Sequence, residues 1–153
     1  MHLYLVRHGE AVAKEVDADR PLSKAGRTQA EAMAAFLKPL GIDVAAVWHS
    51  TKTRARQTAE ILAPSLHAGR GLVLRKGIKP LDDVGPTLHA LHKAEFDLMI
   101  VGHMPHLSVL ASTLLAGQSG CDFVDFPTAS VACLARQEHG WKLLWLVGPD
   151  QVA

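Results

Sequence analysis

Along this chain, short unbroken apolar runs alternate with stretches in which apolar residues recur every three or four positions. Residues 3–6 (Leu-Tyr-Leu-Val) and 98–101 (Leu-Met-Ile-Val) read as strands buried on both faces. Residues 44–48 read as another strand and Leu72–Leu74 as a weaker one. Between them lie helical patterns. Ser23 is a natural N-cap for a helix to about Leu37, with Ala30, Met33, Ala34 and Leu37 on one side and Pro39 and Gly41 ending it. Thr53–Leu62 reads as a second helix closed by Pro64, and residues 86–93 as a third, with Leu88 and Leu91 on one side. Pro105 suits a first turn, with the helix continuing over 107–115. Residues 131–134 and 141–147 read as two closing strands joined around His139-Gly140. Residues 17–22 are polar, contain Pro21 and read as a loop. The alternation predicts an α/β three-layer sandwich, a mostly parallel central sheet with helices on both faces.

Composition narrows the class. A chain of 153 residues, 48% hydrophobic and 20% charged, fits one globular domain over residues 1–153. A net charge of +1 gives no reason to expect nucleic acid or a membrane surface as partner. Every apolar run is too short to span a bilayer, and Arg7 and Glu10 end the first one too early for a secretory leader. Cys121 and Cys133 have no zinc or CxxC spacing and read as reduced structural residues. A cytoplasmic monomer is the expectation.

The chemistry sits where strands end. The first strand runs into Arg7-His8-Gly9-Glu10, the second into His49-Ser50 and then Arg54-Ala55-Arg56-Gln57-Thr58, the strand at 98–101 into Gly102-His103. In open α/β sheets ligands bind at the carboxyl ends of strands. Arginine presents a fork of donors matched to phosphate oxygens. A neutral imidazole can attack phosphorus or carry a proton. Gly9 is expected to permit close backbone approach and a positive φ. Three such endings on one sheet edge would converge on one site and point to phosphoryl chemistry.

These residues resemble the histidine phosphatase superfamily, which includes the cofactor-dependent phosphoglycerate mutases. Arg7-His8-Gly9 matches its hallmark, Ser50 with Arg54-Ala55 and Thr58 its second motif, and Gly102-His103 its second histidine. Pro21-Leu22-Ser23, Gly26 and Gln29-Ala30 match the opening of its first helix, and the likeness extends to about Leu134. The compact motif spacing is most similar to the SixA group of phosphohistidine phosphatases. The resemblance implies a phosphoglycerate mutase-like fold. It makes His8 the nucleophile, forming a transient phosphohistidine, with Arg7, Arg54 and His103 holding phosphoryl oxygens. Neither metal nor cofactor is implied, because two arginines and an imidazole supply the charge. Gly9 and Arg20 are further candidates for contact with substrate.

One departure bears on the substrate. Larger members carry a glutamate after the third strand as general acid. The stretch Lys76-Gly77-Ile78-Lys79-Pro80-Leu81-Asp82-Asp83 has none, leaving Asp82 or Asp83 as possible replacements. General acid catalysis is worth about a hundredfold to ten-thousandfold, so an enzyme without it should favour leaving groups that depart easily. Phosphohistidine on a signalling protein fits best. A phosphatase of small phosphate esters and a non-catalytic phosphoprotein-binding module are the alternatives. The pair His103/His106 invites a metal reading, but Pro105 intervenes and no acidic ligand is near in sequence.

Overall fold

The computed structural model describes residues 1–152. Its elements in chain order are β1 (His2–Arg7), α1 (Lys24–Leu37), β2 (Asp43–Val44), β3 (Ala46–His49), α2 (Thr53–Leu62), β4 (His67–Ala68), β5 (Leu72–Leu74), α3 (Gly85–Lys93), β6 (Leu98–Gly102), α4 (His106–Ala116), β7 (Val131–Gln137), β8 (Gly140–Val147) and α5 (Pro149–Val152). The main sheet has the order β5-β3-β6-β1-β7-β8. The first four of these run parallel, and β7 and β8 are antiparallel additions at one side.

Alternation along the strands divides the core in two. Tyr4 and Val6 of β1 with Met99 and Val101 of β6 face α1 and α2, meeting Met33, Leu37, Ala55, Ala59 and Leu62. Leu3, Leu5, Leu98 and Ile100 face α3 and α4, meeting Leu91, Leu107, Leu110 and Ala111. This is the expected three-layer sandwich. Central strands covered on both sides must be apolar at every position, which is why they read as unbroken runs.

Two expectations need correction. Residues 44–48 are not one strand. Ala45 donates to Asp97 O and accepts from Arg70 N, so β2 pairs with β4 in a separate two-stranded sheet while β3 joins the main one. Gly9 does not adopt a positive φ. Its requirement is steric: a Cβ there would lie 2.6 Å from Gly26 O, and a Cβ on Gly26 would lie 1.9 Å from Glu10 O. The two glycines let the turn after β1 lie against the start of α1. Ser23 caps α1 as expected, its Oγ accepting from Gly26 N at 3.0 Å.

Candidate active site

The strand order places β3, β6 and β1 side by side and parallel, so their carboxyl ends share one edge. His49-Ser50, Gly102-His103 and Arg7-His8 therefore converge. The His8 and His103 ring centroids are 5.1 Å apart, tilted by 53°. Backbone bonds fix the strand ends: His8 N donates to Gly102 O, Arg7 N to Ser130 O and Ala129 N to His8 O.

The side chains are held one by one. His8 Nδ1 donates to Gly9 O at 2.6 Å, which leaves Nε2 unprotonated with its lone pair free. A neutral imidazole that attacks through Nε2 needs an acceptor at Nδ1, and this carbonyl supplies it. Gly9 N donates to Thr58 Oγ1 at 3.0 Å, and Thr58 Oγ1 donates to Arg54 O at 2.8 Å. Thr58 thus ties the His8 turn to α2, one helical turn from Arg54. Both polar groups of the Gly9 backbone are taken by protein partners, so Gly9 positions His8 and its backbone offers no donor to a ligand. Ser50 Oγ lies 2.6 Å from His103 Nε2 and accepts from Lys52 N at 3.2 Å. With the serine hydroxyl donating to Nε2, His103 carries its proton on Nδ1, which has no partner. Arg7 Nη1 donates to Phe126 O at 2.7 Å. The Nε atoms of Arg7 and Arg54 are buried and unpartnered.

Burial and like charge set the protonation. Burial lowers the His8 pKa to about 4; its bond to Gly9 O opposes this, and the charges of Arg54, Arg7 and Arg20 reinforce it. Burial, then the charges of His8, Arg54, Lys52 and His106, lowers His103 to about 2. Both imidazoles are neutral at neutral pH. Burial also lowers Arg7 and Arg54, Asp125 pulling Arg7 back up and Arg20 lowering Arg54 further.

The remaining candidates divide. Arg20 is half-buried, donates through Nε to Val12 O at 3.1 Å, and lines a cavity with Arg54. Asp82 lines a second cavity with Arg54 and Lys52, its Oδ2 accepting from Lys79 N at 2.8 Å. Asp83 is exposed, and its Oδ1 accepts from Gly85 N at the start of α3. His49 is buried behind the edge, its Nδ1 donating to Ser50 O at 2.9 Å. The sequence reading missed Phe126, whose carbonyl orients Arg7 from a segment without regular structure. His106, weighed in the sequence only as a metal partner of His103, is 2% exposed, and neither ring nitrogen has a hydrogen-bond partner of good geometry. Burial lowers its pKa, with Asp82, Asp83 and the nearby Gly77 backbone acting in opposition.

The family model described as histidine phosphatase superfamily, branch 1, matches residues 3–79, which include the Arg7-His8-Gly9 and Ser50-to-Thr58 motifs. The chain belongs to the histidine phosphatase superfamily. Phosphatase activity is the coarse function that membership supports. An uncharacterised protein of Picosynechococcus is 36% identical over 127 residues, covering 78% of this chain and 76% of that protein. An uncharacterised protein of Mycobacterium tuberculosis is 33% identical over 88% of this chain and 89% of its own. Among solved structures, the protein histidine phosphatase SixA complexed with tungstate matches with a TM-score of 0.85 and 25% identity, covering 100% of both chains. Superfamily membership and the SixA-like fold thus agree with the motif reading. Among the described residues no helix is long and apolar enough to cross a membrane.

Proposed function

We propose that this chain is a metal-independent phosphatase that removes phosphate from phosphohistidine on a protein, through a phosphohistidine intermediate on His8. The observation that carries the reading is the His8 imidazole, neutral and held by Gly9 so that Nε2 is free, beside Arg7, Arg54 and His103. In the first step Nε2 attacks phosphorus in line. The bond to the substrate nitrogen breaks, and its electron pair leaves with a protonated imidazole. Water then attacks the phosphoryl group on His8, releasing inorganic phosphate and restoring the neutral ring. Arg7 and Arg54 offset the charge on the equatorial oxygens, and the unpartnered Nδ1–H of His103 is the third donor.

The leaving group supports this substrate. No glutamate lies in residues 76–83, and each of Asp82 and Asp83 accepts a local backbone N–H. A protonated imidazole departs without an acid, whereas an alkoxide does not. The SixA structure, with tungstate bound, is a protein histidine phosphatase of the same fold. One observation favours a second reading. Asp82 shares a cavity with Arg54, so a phosphatase of small esters would use Asp82 as its acid.

The test is phosphate release by wild type and His8→Ala on a histidine-phosphorylated protein and a panel of alkyl and aryl phosphates. Preference for phosphohistidine, lost in His8→Ala, supports the proposal. Preference for alkyl esters that depends on Asp82 supports the second reading. Binding without release in both proteins supports a non-catalytic phosphoprotein-binding module.

A further inference from the structure

We propose that the cavity between Lys14 and Lys52, beside Arg54, is a subsite for a second oxyanion of the substrate, filled on a protein substrate by a carboxylate flanking the phosphohistidine. The inference rests on the phosphatase reading above and goes beyond it by naming what must surround the phosphorylated residue.

The cavity is about 400 Å³, and Lys14, Asp19, Arg20, Thr51, Lys52 and Arg54 line it. Four of these are cations and one is a carboxylate. None of the four cations enters an ion pair among the described residues. The helix facing the cavity, α2, has no side-chain cap and no acidic residue in its first turn, so its leading N–H groups also lack an anionic partner. Arg54, 8% exposed, forms the wall that the cavity shares with the phosphoryl site.

One phosphoryl group does not use up this charge. Arg7, Arg54 and His103 account for its oxygens, and Lys14, Arg20 and Lys52 are left over, Arg20 with its Nε on Val12 O. The loop carrying Lys14 is held in place. Val12 N donates to Pro21 O, Ala11 bridges Leu22, and Arg20 reaches back to Val12 O. Arg20 itself sits at φ 48°, a left-handed conformation that a non-glycine residue keeps only where its surroundings enforce it. On the other side of Lys52, a cavity of about 330 Å³ adds Lys79 and exposed Leu81, but also the carboxylate of Asp82. That side has one cation fewer and does not include the Lys14 loop, so the second anion belongs with Lys14. Both lysines are exposed at the mouth, where a carboxylate on a protein surface can reach them.

Two substrate pairs test this with wild type, Lys14→Gln, Lys52→Gln and the double variant. The first pair is peptides with one histidine phosphorylated by phosphoramidate and flanked by either glutamate or glutamine. The second is phenyl phosphate with and without a ring carboxylate. The quantity read is the ratio of kcat/KM within each pair. Wild type should favour the glutamate peptide by about tenfold, each lysine contributing a few-fold as expected for partly exposed charge pairs. The double variant should bring the ratio close to one, and so should raising the salt. A wild-type ratio near one in both pairs, or a ratio unchanged in the double variant, overturns the subsite. A preference seen only with the aryl pair overturns the flanking carboxylate as occupant and leaves a small doubly anionic substrate. If neither peptide is hydrolysed, the phosphohistidine reading fails, and the aryl pair still decides whether the second oxyanion is bound.

Discussion

His8 Nδ1 donates to the carbonyl oxygen of its own neighbour, Gly9, across 2.6 Å. The contact is local, yet it fixes the tautomer on which nucleophilic attack depends. Removing the ring removes the proposed nucleophile, and His8→Ala should lose turnover by about a thousandfold or more, as nucleophile deletions do. The check is rapid-quench labelling. Wild type should accumulate an acid-labile, base-stable phosphoryl label during turnover, and His8→Ala should carry none. A label that persists in His8→Ala would place the nucleophile elsewhere.

Thr58 links this turn to α2, the helix that carries Arg54. Its hydroxyl accepts from Gly9 N and donates to Arg54 O. Thr58→Val keeps the shape and strands the Gly9 N–H in a buried site, a cost of about 1–3 kcal/mol. Stability in urea should fall by that order, and kcat should fall further than KM rises, because the turn that orients His8 is loosened. Thr58→Ser restores the hydroxyl and should recover most of both. Equal behaviour of the valine and serine variants would remove Thr58 from this role.

Gly26 tests the reason for the glycine pair. A Cβ at this position would lie 1.9 Å from Glu10 O, a contact with backbone that no rotamer relieves. Gly26→Ala should therefore destabilise by about 1–3 kcal/mol, as overpacking does, even though alanine is the better helix former. At Gly117, by contrast, a Cβ meets nothing within 4 Å and only the φ of 72° opposes it. Thermal melts of the two alanine variants should show the larger loss at Gly26.

What could be read from the sequence follows from how each feature is encoded. Parallel strands buried on both faces leave continuous apolar runs, so β1 and β6 were visible, and so was the His8–His103 convergence at their ends. Arg54 and Thr58 were visible as part of a motif shared with a known family, and they lie one turn apart on α2. The partners that aim these residues were not. Arg7 is oriented by the carbonyl of Phe126, 119 positions away, and any residue type has a carbonyl. The split of residues 44–48 between two sheets depends on where Ala45 finds its hydrogen bonds, which no local pattern records. Gly9 was singled out for a positive φ that it does not have; its neighbour Gly26 is what excludes a side chain there.

The buried histidines make both activity and stability depend on pH. His8 titrates near 4 in the folded protein against 6.5 unperturbed, so it stays neutral and competent well below pH 6.5. The acid limb of kcat/KM assigned to His8 should lie near 4, measured with an aryl phosphate whose own ionisation is known. Stability moves the other way on acidification. Below 6.5 the unfolded chain takes up protons on these rings that the folded chain refuses, so the contribution of His8 and His103 is complete above pH 6.5 and declines as pH falls. For His8 the loss runs from about 6.5 to about 4 and is on the order of 3 kcal/mol. His103, lowered to about 2, adds in the same direction and continues below pH 4. Urea midpoints of wild type at pH 7 and pH 4.5 should differ accordingly, and His8→Gln, which has no titrating ring, should lose less over that interval. An equal loss in the variant would show that His8 does not carry the acid sensitivity of the fold.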